Sequence, residues 1–455
     1  MAYLLEHDSV TKTPAEWGVE LATLTVGNQL ADELRLTVSV KTIADAPVFA
    51  IGDEIVLWRD STRVFRGVVT ELPAEASGRE QLEYVVSGPW WTLSRCAYMQ
   101  GRVTWGEIDD PDEETETETT RVVLAMGAGI ATPISAGAQI EAALEWAIDK
   151  YSLDLEIGSI EIGSLRPPYE EAKDISVAEV ISRMLRYLPD AVVHFDYSGA
   201  TTEINITRRG DMTPVELDLD DTTTSHKIEA AKARPRHDLV PSGVLFIFER
   251  TVVVDVDGVA RRKIKIASQS AGGGASAPGA IVYTFQLASS ATGAGEPIPT
   301  GLAAAYYSAL STLQWQGEVS LVEREVSQVI KLGDVVDIVG GPSGWSSMHA
   351  LVQAVEYDFG EGRTRVTFGP AEQLGPQDFK TLIANNRTHM SASTFPATKN
   401  TGDPPSTPND PTPMTPPSDD EEPPVDPYNP TPWVDLAACV DGAPVTVRVL
   451  GFIKA

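Results

Sequence analysis

Between residues 19 and 43 apolar and polar positions alternate, with Leu34, Leu36, Val38 and Val40 set against Arg35, Thr37, Ser39 and Lys41. A period of two puts every second side chain on one face and predicts a half-buried strand. Residues 48–69 and 82–86 continue in the same manner, and together these segments predict a small β-barrel ending near Gly101. Trp90-Trp91 follows at its exit, where paired indoles act as core plugs or as a partner surface.

From residue 135 to 198 the period lengthens. Ile140, Ala143, Leu144, Ala147 and Tyr151 fall at helical spacing. Ser176-Val177-Ala178-Glu179 has the capping-box pattern, opening a helix with Val180, Ile181, Met184, Leu185 and Leu188 on one face until Pro189-Asp190 stops it. Residues 192–197, a Ser198-Gly199 turn and residues 203–207 predict a hairpin. Residues 244–256, 262–267 and 280–287 read as strands again, with a turn at Asp257-Gly258 and a flexible Gly-rich tip at 270–277. Leu302, Ala305, Tyr306, Ala309, Leu310 and Leu313 predict a helix over 302–314, with Gly317 as its C-terminal cap. A short helix is expected around residues 378–384. Beyond residue 396 the prolines are too dense for helix or central strand, so an extended tether is expected through Pro432. After it Val445, Val447 and Val449 predict one more strand, too short to stand without neighbours.

One stretch occurs twice. The first copy opens Gly52-Asp53-Glu54-Ile55-Val56-Leu57 and closes Tyr84-Val85-Val86-Ser87-Gly88-Pro89. The second opens Gly333-Asp334-Val335-Val336-Asp337-Ile338 and closes Arg365-Val366-Thr367-Phe368-Gly369-Pro370. Both ends shift by the same number of positions, and each copy carries a Gly-Arg turn before its last strand (Gly78-Arg79, Gly362-Arg363). Short, evenly spaced strands with glycine at the corners predict a small barrel or sandwich. The expected fold is therefore a β-rich α+β chain: two related small β-barrels with inserted α/β and β domains, plus a Pro-rich C-terminal linker. The expected boundaries are a first barrel at 1–101, an inserted α/β domain at 102–226 and a strand-rich insertion with a helix at 227–317, partly completing the barrels. A second barrel with a short helix at 318–388, a linker at 389–432 and a docking strand segment at 433–455 complete the chain.

Composition narrows the function. A net charge of −30 over 455 residues argues against gripping nucleic acid or an anionic membrane through a basic patch. Two cysteines, Cys96 and Cys439, give no disulfide framework and fit a reducing cytoplasm. Residues 1–8 lack the basic start and apolar run of a signal peptide, and no apolar run reaches membrane-spanning length. The acidic run at 107–118 has no internal glycine to shape a calcium loop and reads as a solvated loop, with a weak metal site or a loop facing DNA as the alternatives.

Catalytic signatures are missing. His7, His194, His226, His237, His349 and His389 have no His, Cys or motif Glu at zinc-ligand spacing. Ser343 lies in Gly341-Pro342-Ser343-Gly344-Trp345, where the second glycine comes one residue early for a nucleophile elbow. Asp255-Val256-Asp257-Gly258 lacks the later ligands of a calcium site. No catalytic, cofactor or metal residues are assigned, and no enzyme is expected.

The repeated units Gly52-Asp53 to Gly88-Pro89 and Gly333-Asp334 to Gly369-Pro370, separated by α/β insertions, resemble the tail-hub or baseplate-hub proteins of tailed bacteriophages over roughly residues 1–388. The resemblance implies a homotrimer in the virion tail tip, made in the host cytoplasm. In it two barrels per chain build a pseudo-sixfold ring between a hexameric tail tube and a threefold tip. It further implies a tail-tube or distal tail ring, a tape-measure protein and a tip, spike or fibre protein as partners, the last through residues 433–455. DNA would pass without specific binding, and an acidic lumen would repel phosphate. A receptor- or carbohydrate-binding β-rich tail protein is the alternative, for which Trp90, Trp91 and Trp345 are the available aromatics. No run of β-helix repeats follows the second barrel, so a fused spike is not expected.

Overall fold

The computed structural model describes residues 3–38, 48–72, 82–105, 114–125, 133–220, 226–256, 259–276, 278–287, 298–312, 314–323 and 330–370, with two further strands near the C-terminus. The Gly78-Arg79 and Asp257-Gly258 turns, the first half of the acidic run, the helix expected at 378–384 and the Pro-rich tether lie outside the described residues. No helix of the described residues is long and apolar enough to cross a membrane.

The first barrel is built from β1 (Tyr3–His7), β2 (Val10–Lys12), β3 (Val19–Gly27), β4 (Glu33–Val38), β5 (Glu54–Arg59), β6 (Thr62–Glu71) and β7 (Leu82–Ser87). The alternation in β4 becomes a face: Leu34, Leu36 and Val38 are buried while Arg35 is exposed. Pairing runs β3-β4-β7-β6-β5-β1, antiparallel throughout. Phe49 fills the interior edge-on against Tyr84 at 5.3 Å, and the Tyr84 hydroxyl accepts the Val48 N–H at 3.0 Å.

α1 (Pro89–Arg95) follows directly, with Gly88 as its N-cap and Pro89 in the first turn, where a missing N–H costs no hydrogen bond. Next, β8 (Gln100–Trp105) pairs antiparallel with β9 (Glu114–Thr119). Glu114, Glu116 and Glu118, expected in a solvated loop, therefore belong to a strand. Threonine at alternate positions of the sequence suits a strand, which favours β-branched residues, and Glu118 accepts from Lys150 at 2.6 Å. The α/β insertion continues through β10 (Arg121–Leu124), α2 (Ala136–Tyr151), β11 (Leu155–Ile160), β12 (Glu170–Lys173), α3 (Val177–Leu185), β13 (Ala191–Asp196) and β14 (Thr202–Arg208). The expected 192–207 hairpin is β13·β14, with β11 added parallel to β14. Ser176 caps α3 by accepting the Glu179 N–H at 3.1 Å, and Glu179 turns its carboxylate to Arg183. Val177, Val180, Ile181, Met184 and Leu185 form the buried face of α3.

The chain then supplies β15 (Pro214–Asp218), β16 (His226–Arg236), β17 (Gly243–Val256), β18 (Val259–Gly272), β19 (Ile281–Leu287), α4 (Leu302–Ser311), β20 (Gln314–Glu323), β21 (Val335–Val339), β22 (Ala350–Asp358) and β23 (Arg363–Phe368). β16 and β20 are an antiparallel pair, and β17 to α4 are inserted between them. Within that insertion β17 pairs antiparallel with β18 and parallel with β19, and Tyr306 of α4 packs on Phe246. Gly317, expected to cap the helix, sits inside β20 instead. A Cβ there would lie 1.9 Å from the Lys232 carbonyl oxygen, so glycine serves close strand approach rather than helix termination.

Two large cores result. One joins the inward faces of both barrels, including Leu34, Phe65, Val336 and Phe368. The other joins side chains of α2, α3, β13 and β14 to Phe246, Phe285 and Tyr306 of the β17–α4 insertion. A separate unit covers Lys399–Ala455, in which β24 (Val434–Val440) pairs antiparallel with β25 (Ala443–Val449). Val445, Val447 and Val449, expected as a lone strand, thus have a hairpin partner.

Candidate functional site

Gly52-Asp53 and Gly333-Asp334 make the same turn. Their φ angles are +89° and +92°, a region that glycine enters without a Cβ penalty. The Asp53 carboxylate accepts the Ala50 N–H at 2.7 Å, and the Asp334 carboxylate accepts the Lys331 N–H at 2.7 Å. The main-chain N–H groups of the two aspartates donate back to the carbonyls of Ala50 and Lys331 at 3.1 and 3.2 Å. Each aspartate carbonyl then accepts from the following strand, Val69 N–H at 2.8 Å and Val352 N–H at 2.9 Å. The surroundings differ. Nothing lies within 4 Å of a Cβ placed on Gly52, whereas one on Gly333 would meet the His194 ring at 2.9 Å. Burial pushes the Asp334 carboxyl up and the His194 imidazole down.

The repeat extends well beyond these turns. The second barrel pairs β16-β20-β23-β22-β21-β15, strand for strand the order β3-β4-β7-β6-β5-β1 of the first. Residues line up across the sheets as Leu24, Leu34, Val86 and Val69 in one and Ala233, Gly317, Phe368 and Val352 in the other. A bulge follows the last residue of each row, between Val69 and Glu71 and between Val352 and Ala354. The edge strands differ: β1 is antiparallel to β5, whereas β15 is parallel to β21. β15 falls within the stretch 102–226 read from sequence as the α/β insertion, yet it completes the second barrel.

The two Gly-Pro pairs are not equivalent in place. The Gly369 N–H donates to the Leu351 carbonyl at 2.8 Å, so Gly369 takes the position of Ser87, which lies opposite Val68. Gly88 is one residue further on, capping α1 and donating to the Asp32 carbonyl at 2.7 Å. Pro89 therefore starts a helix, while Pro370 closes the described part of the second barrel.

The barrels meet along a strand seam. β3 pairs antiparallel with the outer half of β22, from Thr23 opposite Asp358 to Gly27 opposite Ala354. Asn28 locks its end, donating from its main chain to the Gln353 carbonyl at 2.9 Å and from its amide to the Gln353 side chain at 3.0 Å. Beside the seam the buried Asp32 receives the Tyr197 hydroxyl at 2.5 Å and the Gly27 N–H at 3.4 Å, tying the insertion to the barrel. Burial pushes the Asp32 carboxyl up to about 7, against the opposing pull of those two donors. A cavity of about 610 Å³ at this joint is lined by Asp32, Arg63, His194, Tyr197, Lys331 and Gly333, among others. Arg63 is spoken for by the carbonyls of Gly199 and Ala200, at 2.8 and 2.5 Å.

The three tryptophans divide. Trp90 is a core residue at 7 % exposure, which removes it as a partner surface. Trp91 is half-buried beneath the Arg95 guanidinium at 4.4 Å, and Trp345 is half-buried against Gly341. Among the described residues no group of three His, Cys, Asp or Glu side chains could hold a metal ion. Ser343 sits in the connection between β21 and β22. Sequence reading missed Asp32 and Tyr197, Asn28 and the whole seam, because each contact joins residues far apart in the chain.

No protein-family model matches the chain, and no curated protein matches it. Solved structures similar to it include the 43 kDa tail protein of prophage MuSo2 from Shewanella oneidensis, with a TM-score of 0.49 and 12 % identity over 83 % of this chain and 100 % of that one. A tail protein from Neisseria meningitidis gives a TM-score of 0.44 and 10 % identity, covering 83 % of this chain and 98 % of that one. Prophage tail protein gp18 from Listeria monocytogenes gives 0.45 and 8 %, covering 85 % and 100 %.

Proposed function

We propose that the chain is a structural hub protein of a phage tail tip or baseplate. Three copies form a ring of six similar barrels that joins a hexameric tail tube to a threefold tip and leaves a channel for DNA ejection. The observation that carries this reading is the duplicated six-strand barrel, with one barrel joined to the next by the β3·β22 seam. That seam joins the front of one unit to the flank of the other. Contacts of this head-to-tail kind generate rings when the rotation closes. Two units per chain reconcile a threefold assembly with a sixfold neighbour. The channel wall is net acidic, consistent with a chain charge of −30, so duplex DNA slides past without accumulating phosphate contacts.

The ring's neighbours on this reading are a tail-tube or distal tail ring, the tape-measure protein and a tip, spike or fibre protein. The β24·β25 hairpin serves the last of these, since an isolated two-stranded hairpin is marginal in water and gains from docking on a further sheet edge. A receptor- or carbohydrate-binding role is disfavoured by the burial of Trp90 and the packing of Trp91 and Trp345.

Mass measurement with particle imaging, on the full chain and on a chain truncated after Arg387, tests the reading. Both chains are expected as three-copy rings with an open centre, and phage particles carrying the truncated chain are expected to lack a distal component. A stable monomer at micromolar concentration, or a continuous basic stripe along the bore, would overturn it.

A further inference from the structure

Among the described residues the internal seam has a counterpart that a single chain leaves unfilled. In the first barrel β3 pairs with β4 on one side and with β22 on the other. Its equivalent in the second barrel, β16, pairs only with β20 among the described residues. Likewise β22 is covered by β21 over its first half and by β3 over its second. Its equivalent, β6, is covered by β5 up to Val68, and the Gly52-Asp53 turn takes both main-chain groups of Val69. Beyond that point the β5 side of β6, at Glu71 and Leu72, has no strand partner among the described residues. Among the described residues one chain thus carries one filled seam, one donor edge without an acceptor and one acceptor edge without a donor.

We infer that β16 of one copy adds to the end of β6 in the next, in the register of β22·β3. This seam presupposes the ring proposed above and assigns the strands and register that close it. Carrying the register over through the matched rows puts Arg236 opposite Glu71 and Pro235 opposite Leu72, where the internal seam has Gly27 opposite Ala354 and Val26 opposite Val355. A small pair inside the chain is thereby replaced by residues of opposite charge between chains. Arg236 is half-buried and already held within its own chain by Asp238 at 2.8 Å and by Gln316 at 2.5 Å, so Glu71 joins an existing ion pair instead of meeting a free cation. Charge is also distributed to suit. β16 carries Lys227, Lys232, Arg234 and Arg236 against the single Glu229, in a chain whose acidic residues outnumber its basic ones 65 to 35. Lys232 and Arg234 are exposed, as is Glu71. Lys and Pro on an open edge also keep it from pairing indiscriminately, so the same residues favour one partner and discourage others.

Single-cysteine chains test the register. Cys96 is buried, and Cys439→Ser removes the other native thiol. Residues directly opposite in an antiparallel pair lie roughly 4.5–5.5 Å apart at Cα, within disulfide reach. Glu71→Cys and Arg236→Cys chains are unfolded, mixed, refolded together and oxidised, and each is also oxidised alone. A disulfide-linked dimer is expected in the mixture and in neither chain alone. Thr25→Cys with Glu356→Cys in one chain reports the internal seam and should close within the monomer. If the mixture assembles as rings and the internal control closes but no linked dimer forms, the assigned seam is wrong and the ring stands. If the chains stay monomeric, the ring and the seam fall together.

Discussion

Asp32→Asn isolates the price of a buried carboxyl at the joint between barrel and insertion. In the folded chain Asp32 keeps its proton up to about pH 7, because burial outweighs the Tyr197 hydroxyl and the Gly27 N–H that favour its charged form. In the unfolded chain it releases the proton near its ordinary value of 3.8. Between these values the folded state binds more protons than the unfolded one. Stability therefore falls as pH rises through the window, and above pH 7 the full penalty is present. At about 1.36 kcal/mol per unit, the span from 3.8 to about 7 corresponds to a ceiling of roughly 4 kcal/mol.

Asparagine has nearly the same shape and stays neutral. Its oxygen can accept from Gly27 and its amide can donate to the Tyr197 hydroxyl, so the joint survives the substitution. Urea unfolding followed by tryptophan fluorescence, at intervals from pH 4 to pH 8, compares the two proteins. Because the chain carries many other carboxylates, only the difference between the proteins is informative. The Asp32→Asn protein is expected to be equal to the native one or slightly less stable at pH 4. It should then gain steadily to about pH 7, by up to a few kcal/mol. A difference that is flat across the range, or that favours the native protein at high pH, would refute the assignment of a protonated Asp32.

Gly52→Ala is expected to lose roughly 1–2 kcal/mol from its left-handed backbone alone, since space around it is open. Gly333→Ala should lose more in the same unfolding assay, because its methyl also strikes His194, and His194→Ala should recover part of the excess. Equal losses at the two sites would mean that the turns differ less than their surroundings indicate. Glu170→Ala leaves Arg186, whose side chain is only 5 % exposed, without its carboxylate partner at 2.6 Å. A loss of about 3–5 kcal/mol is expected, with Glu170→Gln retaining part of it, and urea melts read both.

Local signals in the sequence were followed closely by the structure. Alternation placed β4, helical spacing placed α2 and α3, and a Ser-Gly turn placed the β13·β14 hairpin. Signals that serve two purposes misled. Gly317 reads from sequence as a helix cap, but a glycine is equally what a close strand approach requires, and the distance to Lys232 shows that role here. The Glu-Thr run around Glu116 looks solvated, yet its threonines suit a strand once β8 is alongside. β15 was hidden for a different reason. A parallel partner needs no tight turn, so nothing near Pro214 announces its pairing with β21 more than a hundred residues later. The seam and the Asp32–Tyr197 contact were invisible because register between distant strands leaves no local trace.

The way the two barrels diverge explains why register, rather than residue identity, is the quantity to carry from one to the other. In matched rows Leu34 faces Val86 in the first barrel, while Gly317 faces Phe368 in the second. One row holds two medium side chains and the other a very large one over none, so the space is filled either way. A slip of one residue is a different matter. It would turn every inward side chain of a strand to the outside, exposing Leu24, Leu34 and Val86 together. Residues can therefore drift in compensating pairs while register stays fixed, and the Gly-Pro pairs, placed one position apart, show how identity strays along a sheet whose rows still match. Gly27 and Ala354 at the filled seam need not resemble Arg236 and Glu71 at the open one. What the acceptor edge must share is the spacing from its bulge, and Glu71 follows the bulge of β6 as Ala354 follows that of β22. The donor edge is placed instead by the row that matches Leu24 with Ala233.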